Sequence, residues 1–206
     1  MKNEKSEKAP KKIVVAICGA SGSIYGVRLI EMLLKQPVEL LLVVSEAGRK
    51  VLAHETGFSG GPFISFLKKR GFSPHVNASL KEYEKDDLFA PPASGSFRHQ
   101  GMAIVPCSMN TVGAVSSGIA DDLVRRAADV TLKEKRPLIL LIRETPLSAI
   151  HLENMLRLSR AGATIMPACP GFYNRPESVE DLVDSVTAGV LDHLRIDHSL
   201  VKPWGE

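Results

Sequence analysis

The chain is poor in cysteine, aromatic residues and long apolar runs, and each shortage removes a class of protein. Three cysteines in 206 residues (Cys18, Cys107 and Cys169) are too few and too widely spaced for a disulfide framework or a zinc cluster. Each sits in apolar sequence, which suits reduced, strand-associated thiols. Phe, Trp and Tyr make up only 5% of the chain, so the basic-plus-aromatic surface of a nucleic-acid binder is missing. The longest apolar stretches, such as Leu40 to Val44 and Leu138 to Ile142, fall far short of the ~20 residues that span a bilayer. No signal sequence is expected at the N-terminus, because Val14 to Cys18 runs directly into Gly19. A cytoplasmic location is expected.

Catalytic motifs are sparse too. The glycines Gly19, Gly22 and Gly26 do not make G-x-G-x-x-G, and no P-loop lysine follows them. There is no G-x-S-x-G, so hydrolase chemistry has little support. The six histidines are scattered without helical metal spacing, and neither Asp86-Asp87 nor Asp121-Asp122 extends into an Asp-rich diphosphate motif. No metal is expected. The charge excess is small, 26 Lys and Arg against 23 Asp and Glu. The first twelve residues hold five of those Lys and two of those Glu, leaving 21 of each sign in the rest. Residues 1–11 therefore read as a flexible basic tail, and residues 12–206 as one domain of ordinary size.

What the domain has is a series of short, nearly unbroken apolar runs: Ile13 to Cys18, Leu40 to Val44, Met102 to Val105, Leu138 to Ile142 and Ala163 to Met166. Such runs are expected where helices cover both faces of a parallel sheet. The intervening segments supply helices. Ile24, Val27, Ile30 and Leu34 form a helical stripe, Ser45 opens a second helix, and 62–70 and 122–135 read as two more. The segment 146–160 is expected to begin with Thr145 as cap and Pro146 in the first turn. Ser178 with Asp181 forms a capping box that opens a last helix, to about Leu194. The fold class is α/β, a doubly wound, mostly parallel sheet.

Ligands of such sheets bind beyond the carboxyl ends of the strands. Those ends carry Gly19-Ala20-Ser21-Gly22-Ser23, then Ser45, then Ser108-Met109-Asn110-Thr111, then Arg143-Glu144, and finally 167–173 with Tyr173. Hydroxyls, an amide, a guanidinium, a carboxylate and a phenol share one edge. The first turn leaves N–H groups and the Ser21 hydroxyl to hold a phosphate at a helix N-terminus. Arg126 and Lys133, two helical turns apart, share a face that is either a cationic site or a solvated stripe.

Taken together, GASGSIYGVRL (19–29), HET (54–56), APPASGSF (90–97), PCSMNT (106–111), RAADVTLKEKRPL (126–138), RETP (143–146), PGFYNRPESVEDLVD (170–184) and KPWGE (202–206) resemble the flavin prenyltransferase (UbiX) family. That family belongs to a flavin-binding group that also holds cysteine decarboxylases. The resemblance covers almost all of the chain, from Lys12 to Trp204, and implies a Rossmann-like flavoprotein fold. It implies an enzyme that joins the dimethylallyl group of dimethylallyl phosphate to N5 and C6 of reduced FMN. Prenylated FMN, the product, serves a separate decarboxylase. It further implies a homo-oligomer with active sites at subunit contacts.

Position by position, the resemblance assigns Gly19, Ala20, Ser21, Ser45, Ser108, Met109, Asn110, Thr111 and Arg143 to FMN. The flavin phosphate is expected at the 19–23 turn and the 108–111 loop. Lys133, Arg143, Glu144 and Tyr173 would bind the prenyl phosphate and handle protons, with Ser21, Glu55 and Arg126 in support and Trp204 near the prenyl group. Two positions depart from the family. Gly189 stands on the last helix where the family carries a phosphate-binding Arg, and Leu88 where some members have Trp. Two other readings stay open: an FMN-dependent cysteine decarboxylase, suggested by Asn110 after Ser108-Met109, and a non-catalytic flavin carrier.

Overall fold

A computed structural model describes residues 10–202 and 205; of the proposed tail it therefore covers only Pro10 and Lys11, and Trp204 lies outside the described residues. Six strands form one wholly parallel sheet in the order β3-β2-β1-β4-β5-β6. They are β1 (Lys11–Ile17), β2 (Val38–Val44), β3 (Ser79–Tyr83), β4 (Gly101–Cys107), β5 (Leu138–Ile142) and β6 (Thr164–Pro167). β1 thus takes in Lys11, the last residue of the expected tail.

The helices are α1 (Ser23–Leu34), α2 (Glu46–Thr56), α3 (Phe63–Lys69), α4 (Met109–Ser116), α5 (Leu123–Lys133), α6 (Ala149–Arg160) and α7 (Val179–His193). Strand alternation sends Ile13, Val15 and Ile17 into one core, with Val27 and Ile30 of α1 and Val186 and Val190 of α7. Val14, Ala16 and Cys18 go into the other, with Val112 of α4, Ala127 of α5 and Leu158 of α6. Both faces of the sheet are covered, so β4 and β5 are buried along their whole length.

Three elements differ from the sequence expectation. β3 reads Ser-Leu-Lys-Glu-Tyr, without an apolar run, because it is an exposed edge strand. Its Lys81 bonds Glu39 of β2 at 2.7 Å. The segment after Cys107, expected as a loop, opens directly into α4, whose Asn, Thr, Val and Gly are weak helix formers. α6 starts at Ala149, not at Pro146. Its cap is Ser148, whose hydroxyl accepts the His151 N–H at 3.2 Å while His151 Nδ1 accepts the Ser148 N–H, so Thr145 is not the cap. The expected box at Ser178 and Asp181 is present.

The direction in which successive strands are added reverses between β1 and β4, the position where such sheets open a crevice. The turns after β1, β2, β4 and β5 all face it.

Candidate active site at the carboxyl edge of the sheet

The turn after β1 is shaped by close approach. A Cβ at Gly19 would lie 2.5 Å from the Ala47 Cβ of α2, and one at Gly26 would strike the Val105 carbonyl. Gly22, at φ 104°, is the N-cap of α1 and has no side chain to cap the helix with. Glu55, from the last turn of α2, does this instead. Its carboxylate accepts the Gly22 N–H at 3.0 Å and the Ser23 N–H at 2.7 Å. Burial pushes the Glu55 carboxyl up. Hydrogen bonds from the Ser21 side chain and from the Ser23 and Gly22 N–H groups outweigh it and hold the carboxyl below its ordinary value.

Two of the donors expected to be free for a phosphate are therefore already engaged by a carboxylate. The helix N-terminus does attract an anion, as its dipole requires, but the anion belongs to the chain. Sequence reading placed Glu55 among the supporting residues without this role, since a contact across more than thirty residues leaves no local signal.

Ser45 and Ser108 stand in equivalent places after β2 and β4. Ser45 caps α2 by accepting the Gly48 N–H at 3.0 Å. Ser108 caps α4 by accepting the Thr111 N–H at 3.4 Å, and the two hydroxyls lie 3.1 Å apart. Met109 is buried at the start of α4, whereas Asn110 is exposed. Arg143, just beyond β5, donates from Nε to the Ser21 carbonyl at 3.3 Å and so ties the β5 end to the β1 turn. Glu144 is exposed and accepts the Thr145 N–H at 3.1 Å.

Two cavities adjoin these groups. One, of about 670 Å³, lies between the β5 and β6 ends and α6, with Arg143 and Glu144 at its polar side and Leu152, Met155 and Leu156 at its apolar side. The other, of about 820 Å³, runs along α7 and is lined by Cys169, Tyr173, Gly189 and Lys202 among others. Pro167 and Cys169 border both. The structure thus brings Gly19, Ala20, Ser21, Ser45, Ser108, Thr111, Arg143 and Glu144 to one edge, and places Tyr173 and Gly189 in the adjoining cavity.

Lys133 is not part of that edge, whereas Arg126 stands in the first turn of α5, about two turns from Lys133. Lys133 pairs with Glu134 and is the last residue of α5, five residues before β5 enters the sheet at its amino end. Arg126 donates to the Ala93 carbonyl at 3.1 Å and to Asp129 at 3.2 Å. An 11-residue helix is ~16 Å long, so Lys133 lies roughly that far from the edge where the other groups meet. Among the described residues no group of three or more His, Cys, Asp or Glu could hold a metal ion, and no helix is long and apolar enough to cross a membrane.

The flavoprotein family model matches residues 1–191. Flavin prenyltransferase UbiX of Pseudomonas aeruginosa is 44% identical over 201 residues, covering 96% of this chain and 95% of that protein. The chain belongs to the flavin prenyltransferase family. Among solved structures, AnUbiX in complex with FMN and dimethylallyl pyrophosphate superposes with a TM-score of 0.85 at 41% identity, over 96% of this chain and 98% of that one. A dodecameric FMN-dependent UbiX-like decarboxylase from Escherichia coli O157:H7 gives 0.81 at 43% identity, over 91% and 96%. The Rossmann-like α/β expectation is borne out by these matches and by the sheet order.

Proposed function

We propose that the chain is a flavin prenyltransferase that moves the dimethylallyl group of dimethylallyl phosphate to N5 and C6 of reduced FMN, its acceptor substrate. The observation that carries this reading is the meeting, at one sheet edge, of a serine-capped turn set with the Arg143-Glu144 pair. Arg143 and Glu144 border a largely apolar cavity, which shares Pro167 and Cys169 with a second cavity along α7.

FMN fits the donor set. The turns at Gly19, Ser45 and Ser108 offer hydroxyls and N–H groups at adjacent strand ends, and Gly19 keeps the backbone bare where a side chain would collide. Arg143, held at Ser21, sits between this region and the two cavities. In the transfer, the prenyl C–O bond breaks and phosphate leaves with the electron pair as prenyl C1 bonds flavin N5. The prenyl alkene then takes up a proton at C2 as C3 bonds C6, and N5 and C6 each give up a proton. Arg143 and Tyr173 stabilise the departing anion, and Glu144 takes a proton that the alkylated ring gives up. The exposed Glu144 carboxylate has no cation partner among the described residues to compete for this task.

Lys133 enters through a second copy. Its position at the far end of α5 keeps it from its own edge, so a homo-oligomer would carry it to a neighbour's cavity. Prenylated FMN would then pass to a decarboxylase that uses it. The experiment is anaerobic incubation with reduced FMN and dimethylallyl monophosphate, followed by mass analysis of the flavin. A flavin heavier by one prenyl group is expected. Recovery of unmodified FMN from protein that binds it would leave the carrier reading, and decarboxylation of a cysteine-terminated peptide would leave the cysteine decarboxylase.

A further inference from the structure

Between β1 and β4, beneath the Ser108 cap, lies a chain of three side chains, of which the proposed reaction leaves Cys18 without a role. Thr111 is buried, and its hydroxyl donates to the sulfur of Cys18 at 3.4 Å. The Ser108 hydroxyl lies 3.1 Å from the same Thr111 oxygen. Cys18 is the last residue before the Gly19 turn, is 2% exposed, and has its own N–H on the Pro106 carbonyl at 3.1 Å. Its sulfur also receives the Ser108 N–H. Burial, the larger effect, pushes this thiol up to about 11 against those two hydrogen bonds, so it stays a neutral thiol at physiological pH.

A threonine hydroxyl has one proton. With that proton on Cys18, the Thr111 oxygen can only accept from Ser108, and the Ser108 proton is committed. The Ser108 oxygen already accepts the Thr111 N–H. Its remaining lone pair can meet a donor, and a phosphate dianion has none to offer.

We propose that Cys18 is a positioning residue for flavin binding: through Thr111 it fixes the Ser108 hydroxyl as an acceptor, so that Ser108 reads a flavin donor, an imide N–H or a ribityl hydroxyl, and not the phosphate. This rests on the flavin reading of the site. It revises the expectation that the phosphate sits at the 108–111 loop, and it gives Cys18, one residue ahead of the glycine turn, a role that no motif spacing signals.

The test is binding of FMN, riboflavin and 3-methylriboflavin to flavin-free protein, followed by fluorescence. Cys18→Ala frees the Thr111 proton to turn toward Ser108, and should weaken FMN and riboflavin alike by roughly five- to tenfold, the worth of one hydrogen bond. Cys18→Ser keeps an acceptor and should restore binding. In a Ser108→Ala background the Cys18→Ala change should have no further effect, whereas a merely structural thiol would add its own loss. If 3-methylriboflavin is insensitive to Cys18→Ala, the donor is the imide; if it weakens like riboflavin, the donor is a ribityl hydroxyl. Unchanged affinities in Cys18→Ala, or a Ser108→Ala loss confined to FMN, would overturn the proposal. Failure of the parent protein to bind any flavin would overturn the flavin reading instead.

Discussion

The crevice at β1 and β4 and the cavity along α7 adjoin one another, yet they are built on opposite plans. At the crevice nearly every polar group has a partner within the chain: Glu55 on the α1 N-terminus, Arg143 on Ser21, Ser45 and Ser108 on their helices. Along α7 the cavity is wide, Gly189 has no side chain, and Arg126 and Lys133 lie elsewhere. A rigid, prepaired crevice suits a large planar substrate that must be held in one orientation. In the proposed reaction the α7 side is left to be completed by the small second substrate and by a neighbouring copy.

The largest expected effect falls where the two regions meet. Glu144→Gln keeps size and hydrogen bonding but cannot take up a proton. Prenyl transfer should slow by about 10² to 10⁴-fold, the usual contribution of a general acid or base, while FMN affinity measured by fluorescence stays unchanged. A rate within about twofold of the parent would remove Glu144 from the chemistry and move proton transfer to another group.

Gly189→Arg asks whether the α7 cavity lacks a cation. A Cβ at Gly189 would come within 3.0 Å of the Met166 Cε, the mobile end of a flexible side chain that can yield. Replacing a mid-helix glycine also gains about 1 kcal/mol. A charge-assisted hydrogen bond to phosphate is worth about 1.5–3 kcal/mol, so steady-state kinetics should show the KM for dimethylallyl phosphate falling by about tenfold or more. FMN affinity should hardly move. Unchanged kinetics would mean that position 189 does not face the phosphate in this chain.

These contrasts also explain what could be read in the residues. Five strands were legible because burial on both faces demands unbroken apolar runs, and the Ser178–Asp181 box was legible because its partners are three residues apart. β3 was hidden by its edge position, where Lys81 and Glu82 are tolerated, and α4 by weak helix formers stabilised through Ser108 and tertiary packing. The strand-end residues of the crevice followed from topology alone. Glu55 as a helix cap and Cys18 beneath Thr111 did not, because both contacts join segments far apart in the chain. Lys133 joined the site through resemblance, and only the helix it terminates shows how far it stands from its own sheet edge.

A smaller effect follows from the two-copy reading. Arg143→Ala and Lys133→Ala should each abolish most activity. Mixing the two proteins under conditions that let subunits exchange should restore it, because about a quarter of two-copy sites then carry neither change when assembly is random. Recovery measured as prenylated flavin per subunit sharpens the contrast between crevice and cavity. No recovery despite demonstrated exchange would break it, placing both residues in one copy's site.

The smallest effect tests the crevice alone. The Glu55 carboxyl is held below its ordinary value of 4.5 by the N–H groups of α1 and the Ser21 hydroxyl, against the opposing pull of burial. The native state therefore favours the ionised form, and the stability this adds is present in full above the ordinary carboxylate value. It is lost as pH falls from there through the lowered value, because the unfolded chain takes up the proton first. Glu55 is largely exposed, so solvent screening keeps the contribution small. Glu55→Gln should lower the melting temperature slightly at pH 7, and the gap from the parent should narrow as pH falls below 4.5. A gap that stays constant with pH would mean that the carboxylate charge adds nothing to the cap, and that the α1 terminus is as well served by a neutral acceptor.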